Sequence, residues 1–280
     1  MMEKASLLTV PQIHLEMPSP MLPDGTQAVI LTHDVDWPRK GPGIEHILSR
    51  SARFDPKIIT KVKSEGFNPY YGVQTIAEIE EQFGIKSTFF FRPTYDDGSK
   101  VDEYKDTIRA LIKNGWEVGL HANNTSSVEA VKSEKNSLER IAGKQISGSR
   151  VHYLRVSSDT FRNLAEAKIK YDSSITFDKE SIDARNSGCL FKNRVAVFPI
   201  TFMDAYLFTY MGLTEKTITK FILKKMRELF SSGVQIMTIL WHDNSIMMKG
   251  GRIYSNLIKD MCAQMDVTFL KGIEAFELVA

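Results

Sequence analysis

From Ala28 onward, short apolar runs alternate with segments whose apolar positions recur every three or four residues. The runs are AVILT (28–32), KSTFFF (86–91), WEVGLH (116–121), RVHYL (150–154), RVAVFPI (194–200) and VQIMTILWH (234–242), with a weaker VTFL (267–270). Most are continuous rather than alternating, the pattern of parallel strands covered on both faces. Helical spacing is read over 73–83, 101–114, 126–142, 157–168, 214–232 and 255–265. Gly84, Gly115 and Gly143 stand where three of these segments must stop. Strand–helix alternation predicts an α/β fold, either a barrel or a doubly wound sheet. Residues 44–66 read as an extra helical insertion after the first strand. Residues 1–25 read as an N-terminal arm. With no repeat or linker within 26–280, that span reads as a single domain.

The chemistry collects where the apolar runs end. The chain has six His. Four of them, His33, His121, His152 and His242, lie at or inside the C-terminal ends of predicted strands, the edge where parallel α/β folds gather their active sites. Asp34 and Asp36 extend the first run. A lone strand-end His is commonly structural, so the reading rests on their concentration at one edge. Imidazole with carboxylate is a ligand set suited to Zn2+ or another divalent first-row metal.

A formal net charge of +2 provides no basic field for nucleic acid. Cys189 and Cys262 are too few for a disulfide framework and fit a reducing compartment. The first twenty residues lack the continuous apolar stretch of a secretory signal, and no run is of membrane-spanning length. A cytoplasmic location is the expectation.

LTHDVD, STFFF, WEVGLH and TILWHD come in the order and rough spacing of the polysaccharide deacetylase family (NodB homology, carbohydrate esterase family 4), which the chain resembles over 26–280. SRVHYLR (149–155), YDSSITF (171–177), DARNSGCLF (183–191) and FPITFMD (198–204) resemble a divergent branch associated with surface-polysaccharide synthesis. The resemblance implies a distorted (β/α) barrel of seven or eight strands. It also implies a metal-dependent hydrolase that removes acetyl groups from a sugar or polysaccharide precursor.

Carried over by residue, Asp34 is the catalytic base, Asp36 and His121 bind the metal, and His242 protonates the leaving amine. Thr125 stands where the family has a second His, so His152 or His33 would complete the ligand set. Arg150 or Arg155 would orient the base; Arg155 is assigned that role and Arg150 is placed against substrate. Asp204, Arg185 and Trp241 are further substrate-side candidates, whose bland readings are a helix cap, a surface ion pair and a core side chain. The implied cofactor is Zn2+, with Co2+, Ni2+ or Mn2+ as alternatives. The chemistry requires such a set, because an amide is a poor electrophile and neutral water a poor nucleophile.

Two other readings compete. An apolar strand followed by D-x-D also opens the haloacid-dehalogenase phosphatases. There Asp34 would be a nucleophile and Asp96 and Asp97 would hold Mg2+, with three His left idle. Thr125 at a ligand position motivates the other, a carbohydrate-binding relative without turnover.

Overall fold

Strand β1 (Ala28–Val35) is buried at every one of its eight positions in the computed structural model, which describes residues 22, 23 and 25–280. The N-terminal arm expected over 1–25 lies almost wholly outside the described residues. Burial on both faces explains the unbroken apolar run of β1. Ala28 and Ile30 pack inward with Phe90, Tyr171 and Phe198. Val29, Leu31 and Val35 pack outward against the helical layer. Side chains alternate along a strand, so Thr32 and Asp34 follow Ala28 and Ile30 inward while His33 points to the helices.

The other strands are β2 (Thr88–Phe91), β3 (Glu117–Ala122), β4 (Gly148–Val151), β5 (Tyr171–Asp172), β6 (Leu190–Lys192), β7 (Val195–Val197), β8 (Ile200–Met203), β9 (Ile236–Leu240) and β10 (Thr268–Leu270). Their order is β6-β7-β5-β4-β3-β2-β1-β9-β8, with β10 also on β1. Every pairing is parallel except β6 with β7. The Ile200 amide donates to the Ile175 carbonyl at 2.8 Å, drawing the β8 end towards the segment after β5. The result is a distorted (β/α) barrel. Gly119 and Gly148 leave room inside it for the rings of Phe90 and Tyr171, which a Cβ at either position would strike.

Helices α3 (Val73–Gln82), α4 (Lys105–Lys113), α5 (Val128–Ala142), α6 (Thr160–Glu166), α8 (Ile218–Ser231), α9 (Tyr254–Gln264) and α10 (Gly272–Val279) supply the outer layer. Ser127 caps α5, its hydroxyl accepting from the Ala130 amide at 3.1 Å. Gly143 ends it at φ 70°, a left-handed conformation that favours glycine. The insertion forms two helices, α1 (Ile44–Ser49) and α2 (Pro56–Glu65). Its Ile47, Phe54 and Val62 make a small core with Tyr70 and with Met247 and Met248 of the loop after β9. A short α7 (Asp204–Thr209) follows β8 directly.

The strand expected over 194–200 divides at Phe198 and Pro199 into β7 and β8, because proline cannot donate to a ladder. Among the described residues no helix is long and apolar enough to cross a membrane.

Candidate metal centre

Asp34 ends the inward row of β1 and is almost fully buried. Its Oδ1 accepts from Arg150 Nη1 at 3.0 Å. Arg150 lies on β4 with no exposed surface and spends its other donors inside the barrel. Nε donates to the Ser173 carbonyl and Nη2 to Ser173 Oγ, both at 2.7 Å, and Nη1 also reaches Thr32 Oγ1 at 3.0 Å. The guanidinium sits over Phe90, 4.8 Å from the ring centre. The expected division between the two arginines is therefore reversed. Arg155 is exposed and lies over the Tyr153 ring, while Arg150 holds Asp34 and is too deeply buried to meet a substrate.

Asp36 stands two residues further on, at the strand mouth. Its Oδ1 is 3.1 Å from His121 Nε2 and 3.5 Å from His152 Nδ1, and these two nitrogens are 3.1 Å apart. The three donor atoms form one compact group able to hold a metal ion. His121 Nδ1 is bonded to the Arg150 carbonyl at 3.0 Å. A carbonyl only accepts, so Nδ1 carries a proton, and the ring in its neutral form would turn a lone pair on Nε2 towards Asp36 and His152. Converging lone pairs and a carboxylate call for a cation, and two imidazoles with one carboxylate suit Zn2+.

Burial works against ionisation of Asp36, but the His121 and His152 imidazoles and the charge of His242 outweigh it. The carboxyl is held well below the ordinary carboxylate range. Burial pushes His152 the other way, below its usual value, which favours the neutral form that a metal needs. Tyr153 and Leu154 follow with φ of 57° and 54°, a costly left-handed pair for residues with side chains. That turn replaces the expected end of the strand at 150–154 and starts at His152. Thr125 is not in this group; its hydroxyl is bonded to Thr160 Oγ1 at 3.1 Å.

His242 follows β9. Its Nε2 lies 3.8 Å from Asp36 Oδ2, and its Nδ1 is 2.6 Å from Asp204 Oδ1. Asp204, at the start of α7, also accepts from the His242 amide at 3.0 Å and from Ser245 Oγ at 2.5 Å. It is thus committed to His242 rather than free for substrate. Burial disfavours the imidazolium, yet the Asp204 carboxylate, its hydrogen bond and the charges of Asp36 and Asp34 push His242 up to about 10. In metal-free protein the His242 ring should therefore stay protonated through pH 8, and Asp204→Asn should lower its midpoint by more than one unit. The raised value also means that the stabilisation is complete below about pH 6.5 and fades as pH rises towards about 10. NMR titration of the His242 ring checks this; an unchanged midpoint in Asp204→Asn would contradict it.

Three candidates stand elsewhere. His33 has no exposed surface and faces the helical layer, with Nδ1 bonded to the Trp241 carbonyl at 2.7 Å and Nε2 to Glu80 Oε1 at 2.9 Å. Glu80 on α3 also accepts from Tyr254, Trp116 and Ser87. His33 is thus a structural link between β1, β9 and α3, and cannot supply a ligand. Trp241 is fully buried in the outer core with Nε1 bonded to the Gly251 carbonyl, so no sugar can stack on it. Arg185 is exposed and pairs with Asp183 two residues away, at 2.8 Å.

Arg92 was not read from the sequence. It is nearly buried at the end of β2. Nε donates to Asn123 Oδ1 at 2.8 Å, Nη1 to the Asp36 carbonyl at 3.3 Å and Nη2 to Asp96 Oδ1 at 2.6 Å. Its signal was its place, directly after TFFF at a strand end. Asp96 pairs with Arg92 and Asp97 with Lys40 at 2.8 Å, so the carboxylates needed by the phosphatase reading are engaged elsewhere.

No family model matches the sequence, and no curated protein matches it. Solved structures do. A Mycobacterium smegmatis protein classed as a polysaccharide deacetylase is 19% identical, with a TM-score of 0.66 over 95% of this chain and 94% of that one. Puue allantoinase is 15% identical, with a TM-score of 0.68 over 97% of both chains. A CE4-family pseudoenzyme from Bacillus anthracis is 11% identical, with a TM-score of 0.54 over 90% of this chain and 66% of that one. Identities this low speak for the fold alone, and the chain shares the distorted-barrel fold of these structures.

Proposed function

We propose that this chain is a metal-dependent hydrolase that removes acetyl groups from a sugar or polysaccharide precursor, N-acetyl groups in the first instance. The observation that carries the reading is the convergence of Asp36, His121 and His152 with Asp34 and His242 beside them. Asp36, His121 and His152 would hold a divalent cation, and their donor set suits Zn2+. When bound, such a cation lowers the pKa of water to about 7 and polarises a carbonyl.

Asp34 takes the proton of the attacking water. Arg150 fixes its Oδ1, while Oδ2 lies 3.8 Å from His121 Nε2 at the cluster. His242, kept protonated by Asp204, gives its proton to the leaving amine, which departs poorly as an anion. The neighbours named as a polysaccharide deacetylase and an allantoinase support a hydrolytic reading on this fold.

The test is acetate release from N-acetylated oligosaccharides by zinc-loaded and by chelator-treated protein, with zinc affinity measured alongside. Zinc-dependent release is expected. Loss of an outer-shell partner alone costs about 10–100-fold in metal affinity, so His152→Ala should weaken zinc binding by at least about 100-fold. Unchanged zinc affinity in that variant would remove His152 from the ligand set.

Thr125 and the pseudoenzyme neighbour favour a second reading, a carbohydrate-binding relative without turnover. Sugar binding with zinc in place and no acetate release from any substrate would select it.

A further inference from the structure

The proposed metal centre opens into a cavity of about 520 Å3, walled by Asp36, Trp37, Lys40, His46, Asp96 and Asp97 among others. Asp36 is the donor that faces it. Its side chain is 22% exposed, against 2% for His121 and 10% for His152. A cavity of this size takes a ligand far larger than an acetyl group.

The wall beyond Asp36 is built, not incidental. Trp37 stands one residue on, and its carbonyl accepts from Tyr104 Oη at 2.8 Å, while the Asp36 carbonyl accepts from Arg92 Nη1 at 3.3 Å. His46 of α1 and Tyr70 meet the indole edge-on, with ring centres 4.8 and 5.4 Å away. The loop between Trp37 and α1 turns tightly. The Gly41 amide donates to the Pro38 carbonyl at 2.7 Å, at a φ of 73° that favours glycine, and Asn68 Nδ2 donates to the Arg39 carbonyl at 3.0 Å. The indole is therefore fixed before any ligand arrives, which lowers the entropy cost of binding against it.

Charge decides what fits. Asp96 pairs with Arg92 at 2.6 Å, Asp97 pairs with Lys40 at 2.8 Å, and Asp36 belongs to the metal group. Arg50 Nη1 donates to His46 Nδ1 at 3.2 Å, so that nitrogen carries no proton and the ring is neutral in this contact. No charge in the wall is left over for an ionic ligand. What the cavity offers is an aromatic surface with polar groups at its rim. Asp96 is largely exposed and has only Oδ1 on Arg92, and the exposed Lys40 Nζ has protons beyond the one given to Asp97. A sugar ring matches both features, its CH face on the indole and its hydroxyls on the carboxylate and the ammonium.

We propose that this cavity is a subsite for a neutral sugar ring joined to the acetylated one, stacked on Trp37 with its hydroxyls on Asp96 and Lys40, so that an oligosaccharide is preferred to a free N-acetyl sugar. The inference rests on the deacetylase reading only in placing the acetylated ring at Asp34 and the metal centre.

Calorimetric titration into zinc-loaded Asp34→Asn protein measures binding without turnover. The probes are N-acetylglucosamine, its neutral dimer di-N-acetylchitobiose, and the acidic disaccharide of N-acetylglucosamine and glucuronic acid. The neutral disaccharide should bind about tenfold or more tightly than the monosaccharide, and the acidic one no more tightly than the neutral one. The gain should fall below about threefold on adding W37A and stay above that on adding W37F, with the folding of both checked by circular dichroism. A second readout leaves Trp37 in place. Trp116 and Trp241 are buried and Trp37 is half-buried in the cavity wall, so indole fluorescence should respond to the disaccharide and not to the monosaccharide. Equal affinity for monosaccharide and neutral disaccharide, a gain that survives W37A or is lost in W37F, tighter binding of the acidic disaccharide, or a silent fluorescence titration overturns the proposal. Acetate release by protein with Asp34 intact is scored separately. A disaccharide gain without release leaves the subsite standing and removes the deacetylase reading, and release without a gain does the reverse.

Discussion

Asp34→Asn is expected to cut acetate release by about 10^3-fold or more, while zinc still binds. A positioned general base contributes about 10^2–10^4-fold, and the amide of Asn has no basicity to replace it. Asn keeps the shape of Asp, so its oxygen can still accept from Arg150 Nη1. Asp36, His121 and His152 are untouched, so zinc content should match the wild type. Some stability should go, because Arg150 loses its countercharge in the barrel interior. The comparison therefore belongs well below the melting transition, on protein whose folded fraction is measured. Wild-type turnover in this variant would remove Asp34 from the chemistry.

Arg150→Met should produce the largest loss of stability of any single change at the site. The guanidinium is wholly buried, and four of its hydrogen bonds end on Asp34, Thr32 and Ser173. Removing it leaves the buried Asp34 carboxylate without its countercharge, and breaking a buried pair from one side costs about 3–5 kcal/mol. Arg155→Met is the control. Arg155 is exposed with only a stacking contact on Tyr153, so its loss should stay within about 0.5 kcal/mol. Urea unfolding of both variants measures the contrast; similar small effects would show that Arg150 does not carry the load assigned to it.

Much of the site could be read from position along the chain. The apolar runs located β1, β2, β3 and β9, and parallel strands expose their C-terminal ends on one edge, so Asp34, Asp36, His121 and His242 stood out as candidates by their positions. His33 shows where that reasoning needed one more step. It follows Thr32 at the same strand end, yet period-2 alternation sends it to the face opposite Asp34, among the helices. Trp241 lies in the same outer core. Parity along the strand was available in the sequence and would have set both aside. Arg92 also stands at a strand end, but a lone cation after an apolar run gives no signal of its own until the fold brings Asn123 and Asp96 to it.

The short strands β5 and β6 left little trace, being two and three residues long. Asp172 on β5 is polar but buried, satisfied by Ser149 and Ser174. Its place in the sheet depends on neighbours rather than on its own apolar character.

Taken by itself, the order of residues determined the alternation of strands and helices, the edge at which chemistry collects and the types of group gathered there. These are local properties, set by backbone periodicity and by burial of apolar runs. Which groups act on which was decided only by the folded chain. Arg150 meets Asp34 across 116 residues, and Asp204 meets His242 across 38. His152 reaches Asp36 from the end of its strand, where a left-handed turn at Tyr153 and Leu154 follows. Such pairings depend on strand order and tilt in three dimensions, and two arginines five residues apart read alike until one is buried and the other is in water.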